Sequence, residues 1–458
     1  MNTETEKNRE LFERVPVPQA VRAMAVPMVI SQLIVLVYNM ADTFFIGRVN
    51  DPFMVAGASL ILPIFNVCIA VANVAGTGGG TLIARLLGSG REREARSVAA
   101  FSFWFSLLMG LLFAAATALL MRPLLLLLGA SDETYAFARQ YTLCVIVVGA
   151  TPTVLSMTMG NLLRNVGCSK QAGFGVSMGG AVNIVLDPLF MFVLLPRGHE
   201  ILGAGMATAL SNILVCCYFL AVIRRLHSPI LNFSPRGMNP GGKNLGAFFA
   251  VGLPAALGPF LFDLDYIVLD RLMSGYSDRA LAAIGIVLKA ERLPLNIGIG
   301  LSLGMVPLAA YNFASGDYDR MDAVLRYVRR VGAVVGVASI LLYEAFAPFL
   351  IRAFIADAGT VALGAGFLRI RALATIMMFL SFVYVHFFQA VGQARHALLL
   401  VVVRWLAVNI PMLFLLNALF GMYGLVWAQL CSDCMVALLS YLVYARFRKS
   451  HKMETEKT

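Results

Sequence analysis

Twelve apolar runs follow one another along the chain, from about residue 18 to residue 446, and each is longer than twenty residues. No other feature restricts the fold as strongly. A helix needs ~20 apolar residues to cross ~30 Å of hydrocarbon. In lipid every backbone N–H and C=O has to be satisfied inside the protein, which leaves helices or closed barrels. Barrel strands are only ~10 residues long, so the runs predict helices, at 18–46, 54–86, 96–121, 134–158, 170–195, 201–225, 245–273, 281–312, 323–351, 362–388, 395–417 and 423–446. Charged residues make up 13% of the chain and hydrophobic ones 59%, whereas a soluble domain carries ~25% charge. The expected fold class is an all-α polytopic membrane protein. Residues 1–17 are polar and of mixed charge, and the first apolar run is too long for the h-region of a cleaved signal.

The stretch from His227 to Asn244 contains Pro229, Pro235, Pro240, Gly237, Gly241 and Gly242, and falls at the midpoint of the chain. It reads as a linker. The two sides of it resemble each other. Ala181-Val182-Asn183-Ile184 recurs as Ala407-Val408-Asn409-Ile410, Leu163-Arg164-Asn165-Val166-Gly167 is echoed by Phe388-Gln389-Ala390-Val391-Gly392, Ser89-Gly90 by Ser315-Gly316, and Pro27 by Pro254. The offsets are 226, 225, 226 and 227 in unbroken order, which points to a duplication. The expected organisation is an N-terminal six-helix lobe (1–226), a linker (227–244) and a C-terminal six-helix lobe (245–458). Six is even, so the two lobes are parallel repeats, an arrangement that places a substrate cavity at their interface.

The net charge of +11 could suggest a nucleic-acid partner, but its distribution argues for topology. The termini and even-numbered loops, with their helix ends, carry 24 Lys and Arg, against 9 in the odd-numbered loops. By the positive-inside rule both termini are expected in the cytoplasm of a cell inner membrane, and no nucleic acid is needed to account for the basic excess. The seven cysteines (68, 144, 168, 216, 217, 431, 434) lie mostly in apolar runs and read as packing residues. This includes the CxxC spacing of Cys431 and Cys434.

Within the fifth run stands Asn183-Ile184-Val185-Leu186-Asp187-Pro188. Asn183 and Asp187 are one helical turn apart on one face. Pro188 has no N–H and frees the carbonyl of Ile184. An aspartate at mid-membrane costs ~2.5–3.5 kcal/mol on insertion scales, and its apolar neighbours give no reason for it. A carboxylate, an amide oxygen and a freed carbonyl together can hold a proton or a small hard cation.

Further motifs give a family resemblance. Tyr38-Asn39-Met40-Ala41-Asp42-Thr43-Phe44-Phe45-Ile46-Gly47, Asn183 to Phe190, Gly203-Ala204-Gly205-Met206-Ala207-Thr208 and Leu163 to Gly167 resemble the helix-one, helix-five, helix-six and post-helix-four motifs of the multidrug and toxic compound extrusion (MATE) transporters. The resemblance covers essentially the whole chain. It implies two pseudo-symmetric six-helix bundles forming an outward-opening V. It implies efflux of small organic cations or amphipathic drugs, and so antibiotic resistance, in exchange for H⁺ or Na⁺. It also implies that Asp42, Asn183, Asp187 and Thr208 form the cation or proton site. Tyr38 would share the face of Asp42. Two carboxylates in a low-dielectric pocket cannot both stay ionised cheaply, which suits a coupling device, and Na⁺ would use the same oxygens. No other cofactor is expected, the surroundings are the lipid bilayer, and a monomer is expected.

The expected substrate cavity includes Tyr38, Asn39, Met157, Met178, Met206, Asp263 and Asp265, because flexible thioethers suit a promiscuous wall and acids attract cations. Asp263 and Asp265 in helix seven either face that cavity or pair with Lys289 and Arg292 of helix eight. Arg404 and Glu344 stand as unpaired charges. Helix ten has no carboxylate, which departs from one branch of the family. Two other functions make different demands on the residues. A lipid-linked oligosaccharide flippase of the same superfamily predicts a cationic cavity. An integral-membrane enzyme needs a convergent catalytic set, and the five histidines (199, 227, 386, 396, 451) are scattered. Gly76-Thr77-Gly78-Gly79-Gly80-Thr81 lacks the Gly-Lys-Ser/Thr of a P-loop and reads instead as a place where helices approach closely. No enzyme activity is expected.

Overall fold

The computed structural model describes residues 10–49 and 51–455, with side chains to residue 450. Lys7, Arg9, Lys452 and Lys457, counted above among the termini, lie outside the described side chains. Among the described residues the chain is helical with no strand, and twelve helices follow the twelve apolar runs. The first six are α1 (Val17–Arg48), α2 (Pro52–Gly88), α3 (Glu92–Leu119), α4 (Asp132–Asn165), α5 (Ser169–Leu194) and α6 (Glu200–Leu226). The second six are α7 (Gly241–Ser274), α8 (Asp278–Ser315), α9 (Tyr318–Arg352), α10 (Ala358–Ala390), α11 (394–420) and α12 (422–450). The molecule is therefore a multi-pass membrane protein.

Several helices outrun the apolar pattern that predicts them. α3 begins at Glu92 and α7 at Gly241, because a helix continues into water as polar turns that hydropathy does not register. α4 and α10 bend by 45° and 48° at short breaks. α11 and α12 are joined at Gly421, whose φ of 59° and ψ of −142° suit a residue without a Cβ. π-helical turns occupy Leu143–Val148 in α4, Leu189–Leu194 in α5 and Val403–Asn409 in α11. The turn in α5 directly follows Pro188, where the ladder has lost a donor.

Consecutive crossings joined by short connections run in opposite senses, so the start of α1, the 227–240 connection and the end of α12 share one face, here called the N-terminal face. The halves meet there. α8 lies so close to α1 that a Cβ on Gly300 would stand 2.7 Å from Val29 Cα, and one on Gly304 would run into the backbone of Ala25. A Cβ on Gly252 of α7 would meet the Val74 carbonyl of α2 at 2.5 Å. Phe101 and Phe105 of α3 set their rings against Phe248 of α7. The hydrogen bonds between halves among the described residues lie at this face or at mid-depth, the deepest being Asn66 Nδ2 donating to Asp263 Oδ2 at 2.9 Å. Phe44 of α1 and Phe260 of α7 are exposed at the surface. Gly300→Val is expected to wedge α8 from α1. Overpacking of this kind costs ~1–3 kcal/mol, enough to shift a two-state equilibrium about 5- to 150-fold, and spin-label distances between α1 and α8 at the N-terminal face should lengthen.

Candidate functional site

The carboxylates of the N-terminal half converge through small residues. Gly180 of α5 lies against Ile34 and Tyr38 of α1, and a Cβ there would stand 2.9 Å from Ile34 Cγ2. Gly205 of α6 similarly admits Cys144 and Tyr141 of α4, at 2.9 and 3.0 Å from an added Cβ. These close approaches draw α1, α4, α5 and α6 around one polar cluster.

Asp187 is fully buried and Asn183 is 4% exposed. Asn183 Nδ2 donates to Asp187 Oδ1 at 3.3 Å and more weakly to Thr208 Oγ1 at 3.5 Å. The Tyr141 hydroxyl joins through the Thr208 side chain, and both Tyr38 and Tyr141 stand within electrostatic reach of Asp42 and Asp187. Asp42 in turn acts on Asp187. Three buried oxygens, Asp42 Oδ1, Asp187 Oδ2 and Asn183 Oδ1, make no hydrogen bond to the protein. Oxygens of this kind fit a proton shared between carboxyls, or a hard cation, which takes oxygen ligands.

The structure thus brings together Asp42, Asn183, Asp187, Thr208 and Tyr38. Tyr141 is an addition, and its signal in the sequence was only a tyrosine in the polar start of α4. The other residues expected at the cavity are dispersed. Asn39 is exposed on α1, and Met206 is 37% exposed on α6. Met157 and Met178 pack against two different apolar clusters. Asp263 faces the N-terminal half through Asn66.

Asp265 is 1% exposed inside the C-terminal half, where Asn409 Nδ2 donates to both of its oxygens at 2.7 and 2.8 Å. Asn409 is the repeat counterpart of Asn183, so each half sets this amide against a carboxylate. Among the described residues no direct ion pair joins the helix-seven acids to the helix-eight cations, although Arg292 stands within electrostatic reach of Asp263. Glu291 of α8 takes Arg371 of α10 at 2.7 Å, Arg404 of α11 takes Asp433 of α12 at 2.8 Å, and Gln429 donates to Asp433 at 2.7 Å. Arg292 lies over the rings of Phe262 and Tyr266, at 5.1 and 5.6 Å. Arg404 and Glu344, expected to be unpaired, have the partners Asp433 and Arg369, the latter an exposed pair at 3.7 Å. Long range explains the miss. A helix-eight acid finds its partner on α10 because those helices are neighbours in the bundle, and sequence distance carries no trace of it. Asp433 lies within the CxxC stretch, where the cysteines drew attention. Both are free thiols, and the aspartate is the buried group.

A helical membrane protein with a duplicated six-helix unit, and a buried carboxylate–amide cluster in one half, belongs to the class of two-lobed secondary transporters. The MatE family model matches residues 27–189 and again 254–415, and the chain belongs to this family. It is 31% identical over 434 residues to the "Multidrug export protein MepA" of Staphylococcus saprophyticus subsp. saprophyticus, covering 94% of each chain. It is 28% identical over 446 residues to the protein of the same name from Staphylococcus aureus (strain MSSA476), covering 97% of each. Its fold matches that of a multidrug resistance MATE family transporter of the MOP superfamily in an outward-facing conformation. The TM-score there is 0.92 at 21% identity, with 98% of this chain and 99% of that one covered.

Proposed function

We propose that this protein is a multidrug exporter, a secondary antiporter and not an enzyme, that exchanges cationic or amphipathic organic compounds for H⁺ or Na⁺. The observation that carries this is the cluster of Asp42, Asn183, Asp187 and Thr208, in which three buried oxygens are unsatisfied by the protein. The family and the named relatives support the export of drugs. Both termini are placed in the cytoplasm on the loop charges, so the face opposite the N-terminal face is external. The proposed units are the two six-helix lobes and the 227–244 linker, functioning as a monomer in the inner membrane.

In this mechanism a proton or Na⁺ enters from outside and neutralises the Asp42–Asp187 cluster, which lowers the cost of closing that site into a dry interior. An inward cation moving down 100 mV supplies ~2.3 kcal/mol. Rocking of the lobes then exposes the cluster to the cytoplasm, where the ion leaves and a lipophilic cation can enter the cleft. Asp263, held by Asn66 at mid-depth between the lobes, is placed to draw that cation in.

The test is efflux of a lipophilic cationic dye from vesicles under a proton gradient alone and a sodium gradient alone. Wild-type protein should respond to one of the two, and that response names the ion. Failure to move any cation under either gradient, with movement of an anionic lipid-linked sugar, would replace this reading by the flippase.

A further inference from the structure

At the N-terminal face each half is held by a strap that belongs to the other. The helical turn at 10–13, which precedes α1 of the first half, docks on α8 and α9 of the second. Phe12 is 3% exposed, with its ring stacked on Tyr311 at 5.0 Å and 14°. The Arg320 guanidinium donates to three carbonyls of this strap: Nε to Phe12 O at 2.6 Å, and Nη2 to Val15 O at 2.6 Å and Leu11 O at 3.3 Å. These are carbonyls at the end of a helical turn, which have no partner within it. Tyr311 Oη adds a bond to Glu13 Oε1 at 2.5 Å.

The segment that precedes α7 of the second half docks in turn on α3 of the first. Phe233 stacks on Phe103 at 4.4 Å and 6°, and its carbonyl accepts from Trp104 Nε1 at 2.9 Å. Asn239 N donates to Ser97 Oγ at 2.9 Å, and directly after the segment, in the first turn of α7, Asn244 Nδ2 donates to Glu94 Oε2 at 2.6 Å. Glu94 and Arg320 are 226 residues apart, which is the repeat offset. The duplication has therefore kept the position of the clasp in the first turn of the third helix of each half, while reversing its charge.

We propose that these reciprocal straps are a latch, and that Arg320 on 10–15, with Glu94 on Asn244, sets how much of the time the N-terminal face is shut. The proposal rests on the rocking of the two halves. Because each strap crosses from one half to the other, the halves cannot part at this face without breaking charge-assisted hydrogen bonds or carrying a strap along. A contact inside one half would not change on rocking, so it could not bias the equilibrium.

The experiment places a single cysteine at Ala25, under α8 at the closed face, in a full-length chain whose seven native cysteines are replaced. Labelling by a membrane-impermeant maleimide is timed in inverted and in right-side-out vesicles. Arg320→Gln, Phe12→Ala and Glu94→Gln should each raise the labelling rate at Ala25→Cys about tenfold from the side bearing the straps, the change expected for one lost charge-assisted bond or its equivalent in packing. Arg320→Lys should fall between wild type and Arg320→Gln. Labelling at the wild-type rate in all three variants overturns the latch. If wild-type labelling also shows no dependence on substrate or ion gradient, the rocking falls with it. Melting curves in detergent separate opening from unfolding, since a variant labelled faster through unfolding would also be labelled at Ser381→Cys, which is buried within the second half.

Discussion

Asp187→Asn should abolish ion-driven efflux, with the initial rate of dye export falling by about 100-fold, the upper part of the range for a coupling interaction. The substitution keeps the volume of the side chain and an oxygen for the amide of Asn183, which donates to Asp187 Oδ1 in the native protein. It removes the only property at issue, the ability to take up and release a positive charge. The fold should therefore persist, with an apparent melting temperature within a few degrees of wild type. Asp42→Asn should act in the same direction, and the double variant should be little worse than either single one, because the residues act as a unit and their effects do not add. The measurement is efflux from energised vesicles at matched protein level. Transport by Asp187→Asn at the wild-type rate would make this carboxylate a structural group and direct attention to Asp263.

The largest loss of stability should come from the other half. Arg404 is 3% exposed and lies between the rings of Phe382 and Trp405, at 4.6 and 4.7 Å, with Asp433 as its carboxylate at 2.8 Å. Removing one partner of a buried pair leaves an uncompensated charge in low dielectric, at a cost of ~3–5 kcal/mol. Asp433→Leu should thus lower the melting temperature in detergent by about 10 °C, a few degrees for each kcal/mol. Arg404→Met on top of it should restore most of the loss, because replacing both charges with apolar groups is often neutral. A double variant as unstable as the single one would show that the two charges are held for reasons other than each other.

The parts of the molecule legible in the sequence are those governed by rules that act locally along the chain. A helix in lipid needs some twenty apolar residues whatever its neighbours are, so twelve runs became twelve helices. A carboxylate within such a run is out of place on energetic grounds alone, and this singled out Asp187. The duplication was visible as repeated motifs at a constant offset, and the family model, in matching twice, follows the same repeat.

Partnership was not legible. Asp263 and Asp265 are two residues apart on one helix, yet one reaches across the molecule to Asn66 and the other turns into its own half to Asn409. The sequence treats them alike because the difference lies in which helix packs on which face. Glu291 with Arg371, Arg404 with Asp433, and the strap at 10–15 with Arg320 are likewise decided by packing. By itself the sequence determined that this chain crosses a membrane as helices, that it is built twice, and that it carries charge where hydrocarbon disfavours it. Only the tertiary structure decided which of those charges neutralise one another and which oxygens are left for an ion, because an ionic contact acts over a few ångströms in space between residues far apart in the chain, as Glu291 and Arg371 are at 80 positions.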